Sequence, residues 1–273
     1  MTTVSPIPPN ALSSSGNWTK EQLKLAFHYY CQTPFGKLHS RNPEIIELAS
    51  LIGRTPSALA MKLVNFASLD PSITSTGRKG LKGASNLDRE IWDEFHADWD
   101  RLAVECEKLR QHLIQDHAPT KDASVEVNDD IAIENFTGET RQVFIEQRIK
   151  QAFFRRAVLS SYRGRCCISG VSETRLLVAS HIVPWSKDKA NRLNPSNGLC
   201  LSAIHDKAFD TGLITLSDDL RVILSDELRR RDEVFIKNVF LPIENQMIEA
   251  PERFAPSIEF LSYHRNHVFV GRQ

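Results

Sequence analysis

Residues 165–217 read RCCISGVSETRLLVASHIVPWSKDKANRLNPSNGLCLSAIHDKAFDTGLITLS, and this stretch decides the fold. The apolar run RLLVAS leads into His181, which predicts a short strand with an imidazole at its end. A polar loop follows. Asn197 then opens a predicted compact helix over 197–209, with His205 two turns further on. This ordering suits phosphodiester hydrolysis. A histidine held rigidly at a strand end can deprotonate a water, because its ordinary pKa lies near neutrality. A group on the adjacent helix can hold a divalent cation that stabilises charge as the P–O bond breaks. Asn197 can pin the loop through backbone hydrogen bonds and so orient His181.

Working outward, GLITLS at 212–217 and RVILS at 221–225 read as further short strands, and RQVFIEQRIKQAFFRRAVLSSYRGR at 141–165 as one helix ending near Gly164. His264 and His267 fall in a strand-like C-terminal segment and carry no assigned role. The C-terminal half is therefore expected to be α+β, with short strands around a small helix.

The order His181, Asn197, His205, set within SHIVPW, LNPSNGLCL and IHDKAFDTGLI, resembles the HNH (His-Asn-His) nucleases of ββα-metal fold, in particular their restriction-type bacterial branch. The resemblance spans about residues 141–225. It implies His181 as general base, Asn197 as orienting residue and His205 as helix-borne metal ligand. Two positions depart from the family pattern. Ser180 stands where many members have Asp or His as a ligand, and Phe209 where some have a second helix ligand. Asp210 and Asp206 are the carboxylates nearest to substitute, and Asp210 is taken with His205 as the expected metal pair. The implied cofactor is a divalent metal, Mg²⁺ foremost, with Mn²⁺ or another first-row ion as alternatives.

Residues 18–115 read as a helical domain. Thr19 and Gln22 form a capping-box pattern, and Asn42-Pro43 and Thr55-Pro56 are two further helix starts separated by Gly53. That spacing is helix-turn-helix-like. Arg54 and Lys62 would then contact phosphates and Asn65 a base edge, with Arg78 and Lys79 in a basic loop beyond. A single long helix is expected from about Asp88 to Leu113. On the helix at 141–165, Arg148, Arg155 and Arg163 are the first candidates for phosphate contact.

Composition sets the outer limits. The 273 residues carry 34 Lys and Arg against 34 Asp and Glu, yet this neutrality is a cancellation. Residues 116–140 hold seven acids and one Lys and read as a linker, while 141–273 hold 20 basic and 15 acidic residues. Neutral overall charge therefore does not argue against DNA. No run is long and apolar enough for a transmembrane helix. Residues 1–17 form a Pro/Ser-rich flexible lead without the marks of a signal peptide. Five cysteines without a C-x-x-C pair fit a reducing cytoplasm. The expected protein is a metal-dependent DNA endonuclease of restriction or phage defence, with a helical DNA-reading domain ahead of an HNH domain at 141–273. A homodimer would be one route to double-strand cutting. The rivals are a non-catalytic DNA-binding or regulatory protein with a degenerate HNH fold, and an RNA nuclease.

Overall fold

The computed structural model describes residues 16–74, 83–117 and 138–271. Most of the lead, the Arg78-Lys79 loop and most of the acidic linker lie outside the described residues.

The N-terminal region is helical: α1 (Lys20–Gln32), α2 (Pro43–Leu51), α3 (Pro56–Ala67), α4 (Pro71–Thr74), α5 (Asn86–Ala97) and α6 (Trp99–His117). Its starts are set by local chemistry. The Thr19 hydroxyl accepts from the Gln22 backbone N–H while the Gln22 side chain accepts from the Thr19 N–H, and Asn42 and Thr55 cap α2 and α3, each ahead of a proline. The expected long helix is instead two. Asp98 leaves helical geometry at φ −154°, ψ 79°, and its carboxylate accepts from the Arg101 N–H at 2.9 Å, starting α6 afresh.

Two residues expected to face DNA are consumed inside this bundle. Lys62 is 8% exposed, and its ammonium donates to both oxygens of the fully buried Asp88 at 2.9 and 3.0 Å. Arg54 is 5% exposed and donates to the Gly16 carbonyl at 2.8 Å and to Gln22 Oε1 at 2.9 and 3.1 Å. Both cations also lie over the Trp18 ring. A buried charge must be paired, and here the pairing fixes α3 against α5 and against the start of α1.

The C-terminal half begins with α7 (Gly138–Ser161), whose end is turned by Gly164 at φ +66°. Strands β1 (Leu177–His181) and β2 (Gly198–Ser202) pair antiparallel, with His181 opposite Gly198 and Leu177 opposite Ser202. Helix α8 (Ala203–Asp210) follows directly and packs on both. The segment expected as one helix from Asn197 is thus a 3-10 turn, then a strand, then a helix. GLCLS is buried throughout and pairs with β1 before the chain turns helical. A second hairpin, β3 (Ile214–Leu216) with β4 (Val222–Leu224), and helices α9 (Asp226–Arg229), α10 (Val234–Val239) and α11 (Ile258–His267) complete the chain. His264 and His267 therefore sit on a helix, started by the Ser257 cap, and not on a strand. Mixed helix with small sheets is what the sequence led us to expect. All five cysteines are buried and free.

One hydrophobic core runs through both halves, from Phe27 and Trp99 to Phe154 and Leu201. Helix α1 packs on α7, and the join is locked by Arg253, which is fully buried. Its guanidinium donates to the Tyr30 carbonyl, to the Thr33 carbonyl at 2.5 Å and to the Ser160 hydroxyl at 3.2 Å. Removing one partner of a buried pair strands the other charge. Lys62→Ala is therefore expected to cost about 3–5 kcal/mol, read from the denaturant midpoint. A loss below ~1 kcal/mol, as for an exposed pair, would contradict the buried role.

Candidate active site

His181 ends β1 with its imidazole held on three sides. The ring stacks on Phe154 of α7 at 3.9 Å between centroids and 10° between planes, and Trp185 meets it edge-on at 5.4 Å. Nε2 lies 2.9 Å from the Arg192 carbonyl oxygen. A carbonyl can only accept, so Nε2 carries the hydrogen and Nδ1 keeps its lone pair. Among the described residues Nδ1 has no hydrogen-bond partner. The residue lines a cavity of about 320 Å³ together with Gln151, Phe154, Arg155 and Trp185. Burial lowers the imidazole pKa, against a smaller raising effect of the Arg192 carbonyl. The ring is therefore neutral at pH 7, and a neutral imidazole with a free Nδ1 is a base.

The loop after His181 is organised by Asn197, which is fully buried. Its side chain accepts from the Val183 N–H at 2.8 Å and donates to the Val183 and Asn191 carbonyls at 3.3 Å each, while its own carbonyl accepts from the Ile182 N–H at 3.0 Å. These bonds fold the loop back on itself, so the Asn197 side chain is spent on the loop and not on a helix cap. Gly198 beside it has no room for a side chain. A Cβ there would lie 2.3 Å from Val158 Cγ2 and 2.9 Å from Phe154 Cζ.

His205 is placed otherwise than expected. It is 4% exposed, its Nδ1 lies 2.8 Å from the Ser202 hydroxyl and 3.8 Å from Cys166 Sγ, and its ring meets Phe240 edge-on. Its Nε2 is buried without a partner. The residue is packed beneath α8, so it does not share the solvent-reached side of that helix. That side carries Asp206 and Asp210, one turn apart. Burial raises both carboxyls, and Asp210 is raised further by the charge of Asp206, so the two lie close enough to repel. Ser180 of β1 lies beside Asp206.

No three His, Cys, Asp or Glu side chains converge as a metal cage among the described residues. Two mutually repelling carboxylates nevertheless fit a hard divalent cation, which commonly takes one or two carboxylates and completes its shell with water and phosphate oxygens.

Residues 166–217 match a family model described as HNH endonuclease. This segment is similar to the HNH endonucleases. No curated protein matches the chain. A solved structure named "Modification dependent TagI restriction endonuclease" is similar over 43% of this chain and 38% of that one, at 20% identity and a TM-score of 0.29. The chain thus spans well under half the length of that relative.

Around the HNH segment the expected phosphate contacts separate into three kinds. Arg155 borders the His181 cavity but donates to the Leu177 and Thr174 carbonyls at 2.8 and 3.1 Å, bracing the start of β1. Arg163 pairs with Glu249 and Glu252. Arg148 lies over the Phe144 ring and, with Arg110, Arg141 and Arg156, lines a cavity of about 740 Å³ between α6 and α7. Asn65 is partly buried, its side chain beside Gly83. The outward positions of α3 are Ser57 and Met61, neither of them a cation.

Three residues here escaped the sequence reading: Phe154 as a stacking partner, Gly198 and Arg192. Only Gly198, directly after the motif asparagine, had a local signal. The stacking gives a test. Gly198→Ala is expected to push Phe154 off the His181 ring and to raise the His181 pKa toward the ordinary 6.5 as water enters, read by NMR titration of the imidazole. An unchanged titration in the folded variant would show that the close approach does not hold the ring.

Proposed function

We propose that the chain is a metal-dependent DNA endonuclease of restriction or phage-defence type, hydrolysing a phosphodiester bond at the HNH segment. The observation that carries the reading is the His181 imidazole, protonated at Nε2 by its bond to a carbonyl and open at Nδ1, on the strand against which the Asp206–Asp210 helix packs. In this reading Nδ1 takes the proton of a water attacking phosphorus. The Arg192 carbonyl then steadies the imidazolium that forms, because a charged donor strengthens that hydrogen bond. Asn197 holds the loop at residues 183 and 191. A divalent cation bound at Asp206 and Asp210 would neutralise charge on the phosphate oxygens. Asp206 replaces His205 in this assignment, since the His205 side chain is turned into the core.

The arginines lining the α6–α7 cavity, Arg148 among them, are the better candidates for phosphate contact than Arg155 or Arg163, which already hold backbone carbonyls or carboxylates. A DNA-reading role for the N-terminal helical region remains part of the proposal through Asn65 and the Arg78-Lys79 loop. Arg54 and Lys62 drop out of it. DNA is the proposed partner, in the cytoplasm, and a homodimer would allow both strands to be cut.

The rival is a DNA-binding protein whose HNH centre has lost catalysis with Ser180 at a ligand position. Plasmid DNA incubated with Mg²⁺ or Mn²⁺ separates the two. Nicking is expected in the wild type, with a loss of about 10²–10⁴-fold in His181→Ala, the usual contribution of a general base. Asp206→Asn and Asp210→Asn are expected to raise the metal concentration needed. The active form of His181 is the neutral one, so the rate falls as pH drops through its pKa. Burial lowers that pKa, which puts the half-maximal rate below pH 6.5. Intact DNA across modified and unmodified substrates, with binding retained, would favour the rival. Cleavage of labelled RNA in place of DNA would redirect the substrate assignment.

A further inference from the structure

We infer that Asp100, on α6 of the helical region, is a positioning residue for His181 that acts through Arg192. The inference rests on the reading of His181 as the base. Asp100 Oδ2 accepts from Arg192 Nε at 2.7 Å and from Arg192 Nη2, and also from Lys150 Nζ of α7 at 3.0 Å. The second oxygen of the same carboxylate is buried without a partner, so the group is committed to these two cations. The Arg192 guanidinium also lies over the Trp185 ring, 5.0 Å from its centroid, and Trp185 is the ring that meets His181 edge-on. The Arg192 main chain supplies the carbonyl that fixes Nε2–H.

Arg192 is thus tied at both ends. Its carbonyl sets the tautomer and plane of the base, and its side chain is anchored 92 residues away in sequence, on a different part of the fold. The loop between β1 and β2 has its own bonds, from Asn197 to residues 183 and 191 and from the Asn194 N–H to the Asn191 carbonyl at 3.1 Å, but these flank Arg192 and do not include it. The ion pair adds a tether at Arg192 itself. Both side chains are mostly shielded, at 15% and 22% exposure, so the attraction is less screened than at an open surface. Asp100 also offsets the repulsion between the two cations it draws to one oxygen. The helical region therefore does more than flank the nuclease centre: one of its carboxylates holds the part of the loop that orients the base.

The test uses the full chain with ¹⁵N-labelled histidine. In the wild type, His181 is expected as a single Nε2–H tautomer that titrates below 6.5. Asp100→Asn keeps the shape of the side chain and removes its charge. It is expected to give mixed His181 tautomers and a titration moved up toward 6.5, because loosening the loop removes burial, the larger of the two effects on the ring. In plasmid nicking, kcat is expected to fall by about 10–100-fold, with KM for DNA within about twofold, and the acid limb of the rate to move to higher pH. Arg192→Lys keeps a cation but loses the two-donor grip, and should do the same. It also serves if Asp100→Asn fails to fold. Wild-type tautomer and titration in either folded variant would overturn the inference, even if activity fell. The spectra need no cleavage, so a wild type that cuts no DNA would sink the proposed function while the spectra still decide the role of Asp100.

Discussion

The candidate centre depends on how closely α7 approaches the β1–β2 hairpin. Gly198 stands opposite His181 in the register, and the missing Cβ is what lets Val158 and Phe154 reach the sheet. Phe154 can then lie flat on the imidazole. That contact removes water from one face of the ring and lowers its pKa, while the Arg192 carbonyl fixes which nitrogen keeps the proton. A neutral, oriented imidazole follows from packing and one hydrogen bond, with no carboxylate beside it among the described residues. The arrangement differs from a His–Asp pair, in which a negative charge would raise the pKa of the imidazole.

The basic residues tell a second story about the two halves. Several cations that a sequence would offer to DNA serve the protein itself. Lys62 neutralises Asp88, Arg54 closes over the start of α1, and Arg253 binds carbonyls at the end of α1 from the far end of the chain. Arg192 and Lys150 converge on Asp100. Cations still facing outward within or beside the HNH segment include Arg165, Arg175, Lys187, Lys189 and Lys207, and around the α6–α7 cavity Arg110, Arg141, Arg148 and Arg156 meet one acid, Glu107. Near-zero net charge is therefore compatible with a locally positive surface.

What could be read from the sequence was what is local. The caps at Thr19, Asn42 and Thr55 involve partners two or three residues away, and all three helices begin where those residues say. The strand before His181 and the loop-pinning asparagine were equally legible. The rest needed partners that spacing does not reveal. Lys62 and Asp88 are 26 residues apart and Arg54 and Gln22 are 32 apart, so both cations looked free. Asp98 could not be told from any other acid on an acidic helix. On α8 the motif histidine and the two aspartates share one short helix, and only the packed structure decides which face looks out. The Ser202–His205 bond and the buried environment turn His205 inward and leave Asp206 and Asp210 outside.

The most direct test of the account is a crystal structure of the full chain with an uncleavable DNA duplex and Ca²⁺, a hard cation that takes oxygen ligands. The account predicts the scissile phosphate between His181 Nδ1 and the α8 carboxylates, with the ion on Asp206 and Asp210 and the Nε2–H still on the Arg192 carbonyl. An ion held by His205, or a phosphate seated away from Nδ1, would contradict it.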